Sequence, residues 1–289
     1  MVNFHGVILL DKPLGMSSNH AVQRVRRLLG AKKAGHTGTL DPLATGMLPI
    51  CVGEATKFSS FVLDAHKTYR VTMRLGEQRD TGDAEGAVIA RSEKRVVTES
   101  ALQHALQQLT GDILQIPPMY SALKREGKPL YALARAGIQV ERVARPIRIM
   151  ELVCEAVAPP DYVLRVQCSK GTYIRTLVED LARSLGTVAF VTTLRRLQVA
   201  HYREQDMCAL SDDAALLVPR YPVASLVEGL SRVMLSETEA VRWLQGQRLR
   251  LTSATLPPEG MVAVFATDFL GVGLLQAGVL HPKRVITRD

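Results

Sequence analysis

Gly35-His36-Thr37-Gly38-Thr39-Leu40-Asp41-Pro42-Leu43-Ala44-Thr45-Gly46 is the stretch on which the reading of this chain turns. It reads as an irregular, tightly folded loop. Its glycines at 35, 38 and 46 permit positive φ and close backbone approach. Pro42 removes a backbone donor and pushes Asp41 towards an extended conformation. The loop therefore holds one carboxylate in a constrained pose. The apolar run Met47-Leu48-Pro49-Ile50-Cys51-Val52 follows directly and is expected to be buried. Asp41 would then sit on a loop anchored to the core, the rigid support that a catalytic group needs. An Asp before Pro among glycines also serves as an ordinary turn former. A phosphate loop fits less well: Gly30 and Gly35 have the spacing, but His36 stands in the lysine position and a basic helix precedes them.

Composition bounds what such a loop can serve. At 289 residues the chain can hold one large domain and a smaller partner. A hydrophobic fraction of 47% is ordinary for a globular protein, and no apolar run approaches the ~18 residues of a bilayer span. Gly6-Val7-Ile8-Leu9-Leu10 is cut by Asp11-Lys12 and follows no basic region, which predicts a strand and not a signal peptide. Cytoplasm is the expected location. Cys51, Cys154, Cys168 and Cys208 form no CxxC pair, so neither a zinc site nor a disulfide framework is indicated. The formal charge is +8, and within residues 1–35 six basic residues (Lys12, Arg24, Arg26, Arg27, Lys32, Lys33) face the single acid Asp11, a net of +5. Such clustering beside the Asp41 loop suits contacts to nucleic-acid phosphates; a solvated helix face would carry the same charges.

Taken in order, Ser17 or Ser18 caps a helix with Val22, Val25, Leu28 and Leu29 at helical spacing and Gly30 at its end. A helix holding Phe58, Phe61 and Val62 is expected next. In residues 67–75, Tyr69, Val71, Met73 and Leu75 alternate with polar residues, a strand with one buried face. The acidic stretch 80–86 is too short for a calcium loop and reads as a hairpin connection. Residues 98–109 read as a helix ending at Gly111. The basic stretch 124–145 holds a short helix begun by Pro129, and strands follow at 146–153 and 162–168. Ile174, Leu177, Val178, Leu181 and Leu185 mark a helix closed by Gly186, with Arg175 in its first turn. Residues 219–229 read as a linker. Beyond it come a capping box at Ser236 and Glu239, a short helix with Trp243, and strands near 260–266, 271–276 and 284–287.

The Asp41 segment resembles the catalytic motif of the bacterial TruB family of tRNA pseudouridine synthases, a GHxGxLDPxAxG-type loop that carries the essential aspartate. Five further blocks resemble the family, in family order: residues 6–13, Tyr69-Arg70-Val71, residues 118–124, residues 169–175 and Leu194-Arg195-Arg196-Leu197. The resemblance implies an α+β pseudouridine synthase fold, with a mixed, largely antiparallel central sheet flanked by helices. It places a catalytic domain over 1–225, with an RNA-clasping insertion at about 124–145, and a small β-rich PUA-like RNA-binding domain over 230–289. The activity implied is isomerisation of uridine to pseudouridine at position 55 in the T-loop of tRNA, by a monomer that needs no protein partner and no membrane.

That reaction breaks the N-glycosidic bond, turns the base and rejoins it through C5, so no atom enters or leaves and neither metal nor organic cofactor is called for. It needs a nucleophile at C6 of the base or C1′ of the ribose. An ionised carboxylate suits both routes, and the sequence leaves both open. The resemblance makes Asp41 that nucleophile and sets Arg175 beside it, where an opposite charge within ~4–6 Å favours the carboxylate. Local rules disfavour a cation in a first helical turn, so Arg175 fits a site better than a helix start. Tyr69 would stack on the flipped base and help remove the C5 proton, such stacking being worth ~1–3 kcal/mol. His36 would fill the space vacated by the uridine, whose unstacking costs a few kcal/mol. Tyr173 and Leu194 would line the pocket, and Lys12 with Pro13 would brace the loop. Two other functions share these features: a non-catalytic tRNA-folding chaperone, and a guide-RNA-dependent synthase like the archaeal and eukaryotic relatives.

Overall fold

The computed structural model describes residues 4–125, 127–217, 219–251 and 256–287. β1 (Gly6–Lys12) leads to α1 (Ser18–Leu28), where Ser17 Oγ accepts from the His20 amide and Gly30 turns the chain away at φ +59°. β2 (Ala34–His36) and β3 (Ala44–Val52) pair antiparallel and enclose the Asp41 loop. The stretch expected to be loop throughout thus has strand at both ends, and only Gly38 and Gly46 of its three glycines take positive φ. Residues 53–63 make a 3-10 turn (Gly53–Phe58) and the four-residue α2 (Ser60–Leu63), shorter than the helix expected there. One turn suffices to bury Phe58 and Val62.

β4 (Lys67–Leu75) has the expected alternation, and β5 (Glu77–Arg79) with β6 (Val88–Arg91) forms the expected hairpin. α3 (Glu99–Gln108) is capped at its end by Leu109, and Gly111 opens β7 (Gly111–Gln115) at φ +102°. The basic insertion carries the hairpin β8 (Lys124–Arg125) and β9 (Lys128–Pro129), then α4 (Leu130–Arg135); its residue 126 lies outside the described residues. β10 (Arg145–Ala158), β11 (Asp161–Cys168), α5 (Ile174–Ser184), β12 (Ala189–Val199) and β13 (Cys208–Ala209) complete the first sheet. A second sheet follows, from β14 (Ser231–Met234), α6 (Glu237–Leu244), β15 (Leu249–Arg250), β16 (Gly260–Phe265), β17 (Phe269–Gln276) and β18 (Val279–Val285). The Ser236–Glu239 capping box is present.

The first sheet has nine strands in the order β13-β1-β3-β12-β4-β11-β10-β7, with β2 on β3. Only β1–β13 and β3–β12 are parallel, so the sheet is mixed and largely antiparallel, as expected. On one face, Val22 and Val25 of α1, Leu102 and Leu106 of α3, and Leu177 and Leu181 of α5 share a core with Val71, Met73 and Leu164. On the other, Val7, Leu9, Met47 and Phe58 pack with Val223, Leu226, Val227, Ala263 and Val272. Residues 219–229 are therefore packed wall, not free linker: Tyr221 bridges to Val7, and the apolar side of the turn Val223–Val227 is buried. The five-stranded C-terminal sheet, in the order β14-β16-β17-β18-β15, packs around a fully buried Trp243.

β2 and the middle of β12 (residues 194–196) share one side of β3. β2 pairs with Cys51 and its neighbours, while β12 pairs with Ala44, Thr45 and Gly46. The loop between β2 and β3 is thereby pressed against β12. Gly46 lies at φ +94°, and a Cβ there would collide with the Arg196 carbonyl oxygen. Gly46→Ala is expected to lower the unfolding free energy by ~2 kcal/mol or more. Gly15, at φ +76° with open space around it, tests the backbone term alone, and Gly15→Ala is expected to cost only ~1 kcal/mol. Urea midpoints of the two variants check the difference.

Candidate active site

The Asp41 loop leaves none of its central carbonyls idle. Arg196 donates to Gly38 O (3.1 Å) and, more loosely, to Thr39 O (3.5 Å). Ser18 Oγ donates to Leu40 O at 2.9 Å and accepts from the Leu40 amide at 2.7 Å. Asp41 O accepts from the Ala44 amide, and Pro42 O accepts from the Gly15 amide and from Lys12 Nζ at 3.3 Å. Lys12 Nζ also donates to Pro13 O and Met16 O at 2.9 and 2.6 Å, so its ammonium ties the end of β1 to the loop. Burial pulls Lys12 down to about 8, against the pull of Asp41 and with a further push from Arg196. It remains an ammonium at neutral pH.

Asp41 and Arg175, 134 positions apart in the sequence, meet at 2.9 Å between Oδ2 and Nη2. Arg175 is 8% exposed and Asp41 40%, so the cation is fixed while the carboxylate keeps an open side. Arg175 Nη1 and Nη2 donate to Thr81 O and Tyr120 O at 2.6 and 2.8 Å. Its Nε faces Asp83 Oδ2 at 3.7 Å. Asp83 is buried, and its Oδ1 accepts from Thr81 Oγ1 and the Glu85 amide. The acidic hairpin connection thus supplies the second wall that holds the guanidinium. A buried cation needs such partners, because desolvation without them costs several kcal/mol.

Beside this pair lies a cavity of about 620 Å³, room for a nucleobase and its sugar. Asp41, Tyr69, Tyr173, Arg175 and Leu194 all line it, so five of the seven residues singled out in the sequence converge. Lys12 lies behind the loop, not in the wall. His36, in β2, is also outside the wall: its Nδ1 accepts from the Gly38 amide at 3.2 Å. Burial, then Arg196, keeps its imidazole below the ordinary value, so it is neutral with the proton on Nε2. Tyr173 caps α5 and is locked by Gln115, whose side chain bonds both its amide and its carbonyl. Burial raises the hydroxyls of Tyr69 and Tyr173.

Four residues at the site escaped the sequence reading: Ser18, Lys67, Asp83 and Arg196. Lys67 and Arg196 line the cavity. Lys67 Nζ donates to Leu63 O and Ala65 O at 2.6 and 2.7 Å, and burial, then Arg196, pulls it down to about 8. Strand alternation could have separated Arg195 from Arg196. Register shifts in β12 after Val191 and after Arg196 blur that signal. A larger cleft of about 800 Å³ lies on the far side of Arg175, but only that one of the seven residues reaches it.

The family model described as "TruB family pseudouridylate synthase (N terminal domain)" matches residues 26–174. "tRNA pseudouridylate synthase B C-terminal domain" matches 175–235, and "Pseudouridine synthase II TruB, C-terminal" matches 231–286. A protein of Burkholderia lata named tRNA pseudouridine synthase B is 52% identical over 294 residues, covering 97% of this chain and 90% of that one. One of the same name from Haemophilus influenzae is 50% identical over 300 residues, covering 98% and 96%. Among solved structures, a Cbf5-Nop10-Gar1 complex matches with a TM-score of 0.71 at 24% identity, over 93% of this chain and 78% of the matched one. An H/ACA RNP bound to a substrate RNA matches with 0.73 at 20% identity, over 98% and 86%. At these identities the structural matches speak for the fold.

The Lys12 ammonium gives the loop a pH signature. The folded protein holds this proton less tightly than the unfolded chain, about 8 against 10.5. Between those values the unfolded state binds more protons, so the burial penalty fades and stability rises with pH. Lys12→Met removes that contribution. Its unfolding free energy is expected to fall behind that of the wild type from pH 8 to 10.5, by up to ~3 kcal/mol, as read by chemical denaturation across the window.

Proposed function

The chain belongs to the TruB family of pseudouridylate synthases and is an enzyme that isomerises uridine in tRNA, and from that premise we propose that its target is the uridine at position 55 of the T-loop, with Asp41 as nucleophile. The observation that carries this reading is the 2.9 Å ion pair of Asp41 with a buried, fully engaged Arg175 at the wall of a base-sized cavity. Arg175 keeps the carboxylate charged where an RNA loop excludes water. The exposed side of Asp41 then attacks C6 of the base or C1′ of the ribose, the glycosidic bond breaks, and the base turns and rejoins through C5. Atoms balance within the substrate, so the reaction proceeds without metal or organic cofactor.

Tyr69, in the cavity wall, stacks on the flipped base, while Tyr173 and Leu194 confine it. The Tyr69 hydroxyl holds its proton at neutral pH because it is buried; a part in removing the C5 proton draws on the Arg196 guanidinium beside it, which favours the phenolate. His36, neutral and set behind Gly38, fills the gap that the flipped uridine leaves in the RNA. Lys12 keeps the loop in place from behind. The insertion, with Lys124, Arg125, Lys128, Arg135 and Arg142, clasps the T-arm, and the C-terminal unit at 230–289 adds RNA contacts to the catalytic unit at 1–225. The protein acts alone in the cytoplasm, as a monomer on free tRNA.

Transfer RNA tritiated at uridine C5 checks this directly. The lone protein is expected to release tritium to water from the T-loop uridine, and Asp41→Asn to release it at least ~10³-fold more slowly while binding tRNA within about threefold of the wild type. No release by the wild type, or full release by the variant, would overturn the assignment.

A further inference from the structure

Arg196 is among the largest fully buried side chains, at 1% exposure, yet it lies in the wall of the cavity. Its guanidinium contacts three separate backbone segments or side chains. Nε donates to Met47 O at 2.7 Å, at the start of the buried run that follows the loop. Nη2 and Nη1 reach Gly38 O and Thr39 O, ahead of Asp41. Arg196 is also the register partner of Tyr69 across the antiparallel β12–β4 pair, and its guanidinium acts on the Tyr69 hydroxyl. No carboxylate among the described residues lies within ion-pair distance of it, so carbonyl dipoles carry its stabilisation. A buried cation without a counter-ion is costly, and a merely structural filler of this strand position would be apolar. Gly38 takes φ +132°, and a Cβ there would meet Arg196 Nη1 at 3.6 Å, an ordinary contact, so the backbone conformation rather than lack of space favours glycine at this point of the loop.

We propose that Arg196 is a positioning residue that sets the nucleophile loop and the Tyr69 hydroxyl relative to each other from beneath the cavity. The inference rests on the uridine-isomerising reading of that cavity. Asp41 is held laterally by Arg175, but its distance from Tyr69 is a separate degree of freedom. The loop belongs to the β2–β3 connection and Tyr69 to β4, and β12 lies between β3 and β4 in the sheet. Arg196, on β12, bonds the loop and stands opposite Tyr69 across the β12–β4 pair. The fork geometry matters: an ammonium is a single point of donation and cannot span Met47 O, Gly38 O and the phenol together.

Arg196→Lys and Arg196→Gln test this with the full-length protein and tritiated tRNA. Both are expected to lower the single-turnover rate ~10²-fold, the scale of a small misplacement of reacting groups, with tRNA affinity within about threefold of wild type. Hydrogen exchange in residues 37–43 is expected to accelerate at least tenfold while that of α5 stays unchanged. In a Tyr69→Phe background, Arg196→Lys is expected to cost markedly less than in the wild type, since one of its two clients is already gone. A lysine variant with wild-type rate and loop exchange, or a rate loss matched by lost tRNA binding, would overturn the proposal. Should wild type release no tritium at all, the reading of the reaction falls, and loop exchange in the two variants still decides whether Arg196 sets the loop. The lysine variant retains the charge and the stem, so it keeps the test open if the glutamine variant does not fold.

Discussion

The loop that carries Asp41 has its carbonyl oxygens turned into the protein, and a carbonyl buried without a donor costs about as much as a lost hydrogen bond. The rest of the site answers that constraint. Arg196, Ser18, Lys12 and two backbone amides satisfy the carbonyls of residues 38–42 between them. The three side-chain donors come from different elements: β12, the start of α1, and the end of β1. The loop is therefore held only when the sheet and α1 are assembled, and the pose of Asp41 becomes a consequence of folding.

The same solution concentrates positive charge. Lys12, Lys67, Arg175 and Arg196 gather around Asp41 and Asp83, and all four are buried. Burial first, with the guanidinium of Arg196 adding to it, depresses the basicity of Lys12, Lys67 and His36. Such a cluster is expensive to desolvate, and it suits a polyanionic substrate whose base must bear negative charge while its glycosidic bond is open. The acids are few and each is committed: Asp83 steadies Arg175 and Asp41 faces the cavity.

The C-terminal sheet is joined to this assembly by more than a tether. Ala263 and Val272 pack into the core beneath β1 and β3. Lys57 donates to Thr287 Oγ1 and the Thr287 amide donates to Glu54. Arg284 donates to Ser60 Oγ and to the Lys57 carbonyl. The turn and α2 thereby fixed lead directly to Leu63 and Asp64 in the cavity wall. Residues 219–229, with their proline and small residues, look like a linker by composition, yet Val223, Leu226 and Val227 give them an apolar side that packs.

Local chemistry was legible without coordinates wherever a single segment decides its own conformation. The Ser17 and Ser236 caps, the Tyr69 strand, the 80–86 hairpin and the α5 stripe ending in Gly186 all follow from periodicity and end signals, because those depend on neighbours a few positions away. Asp41 and Arg175 could be singled out by motif, but their 2.9 Å contact is a fact of sheet order. Ser18, Lys67, Asp83 and Arg196 stayed hidden for the same reason. Each looks like an ordinary cap, strand, turn or basic residue until β12 inserts between β3 and β4. The sequence alone determined the local elements and which residues could be proposed for the chemistry; which donor reaches which carbonyl was decided by tertiary structure, because hydrogen bonds reach about 3 Å and only the folded sheet brings distant segments that close.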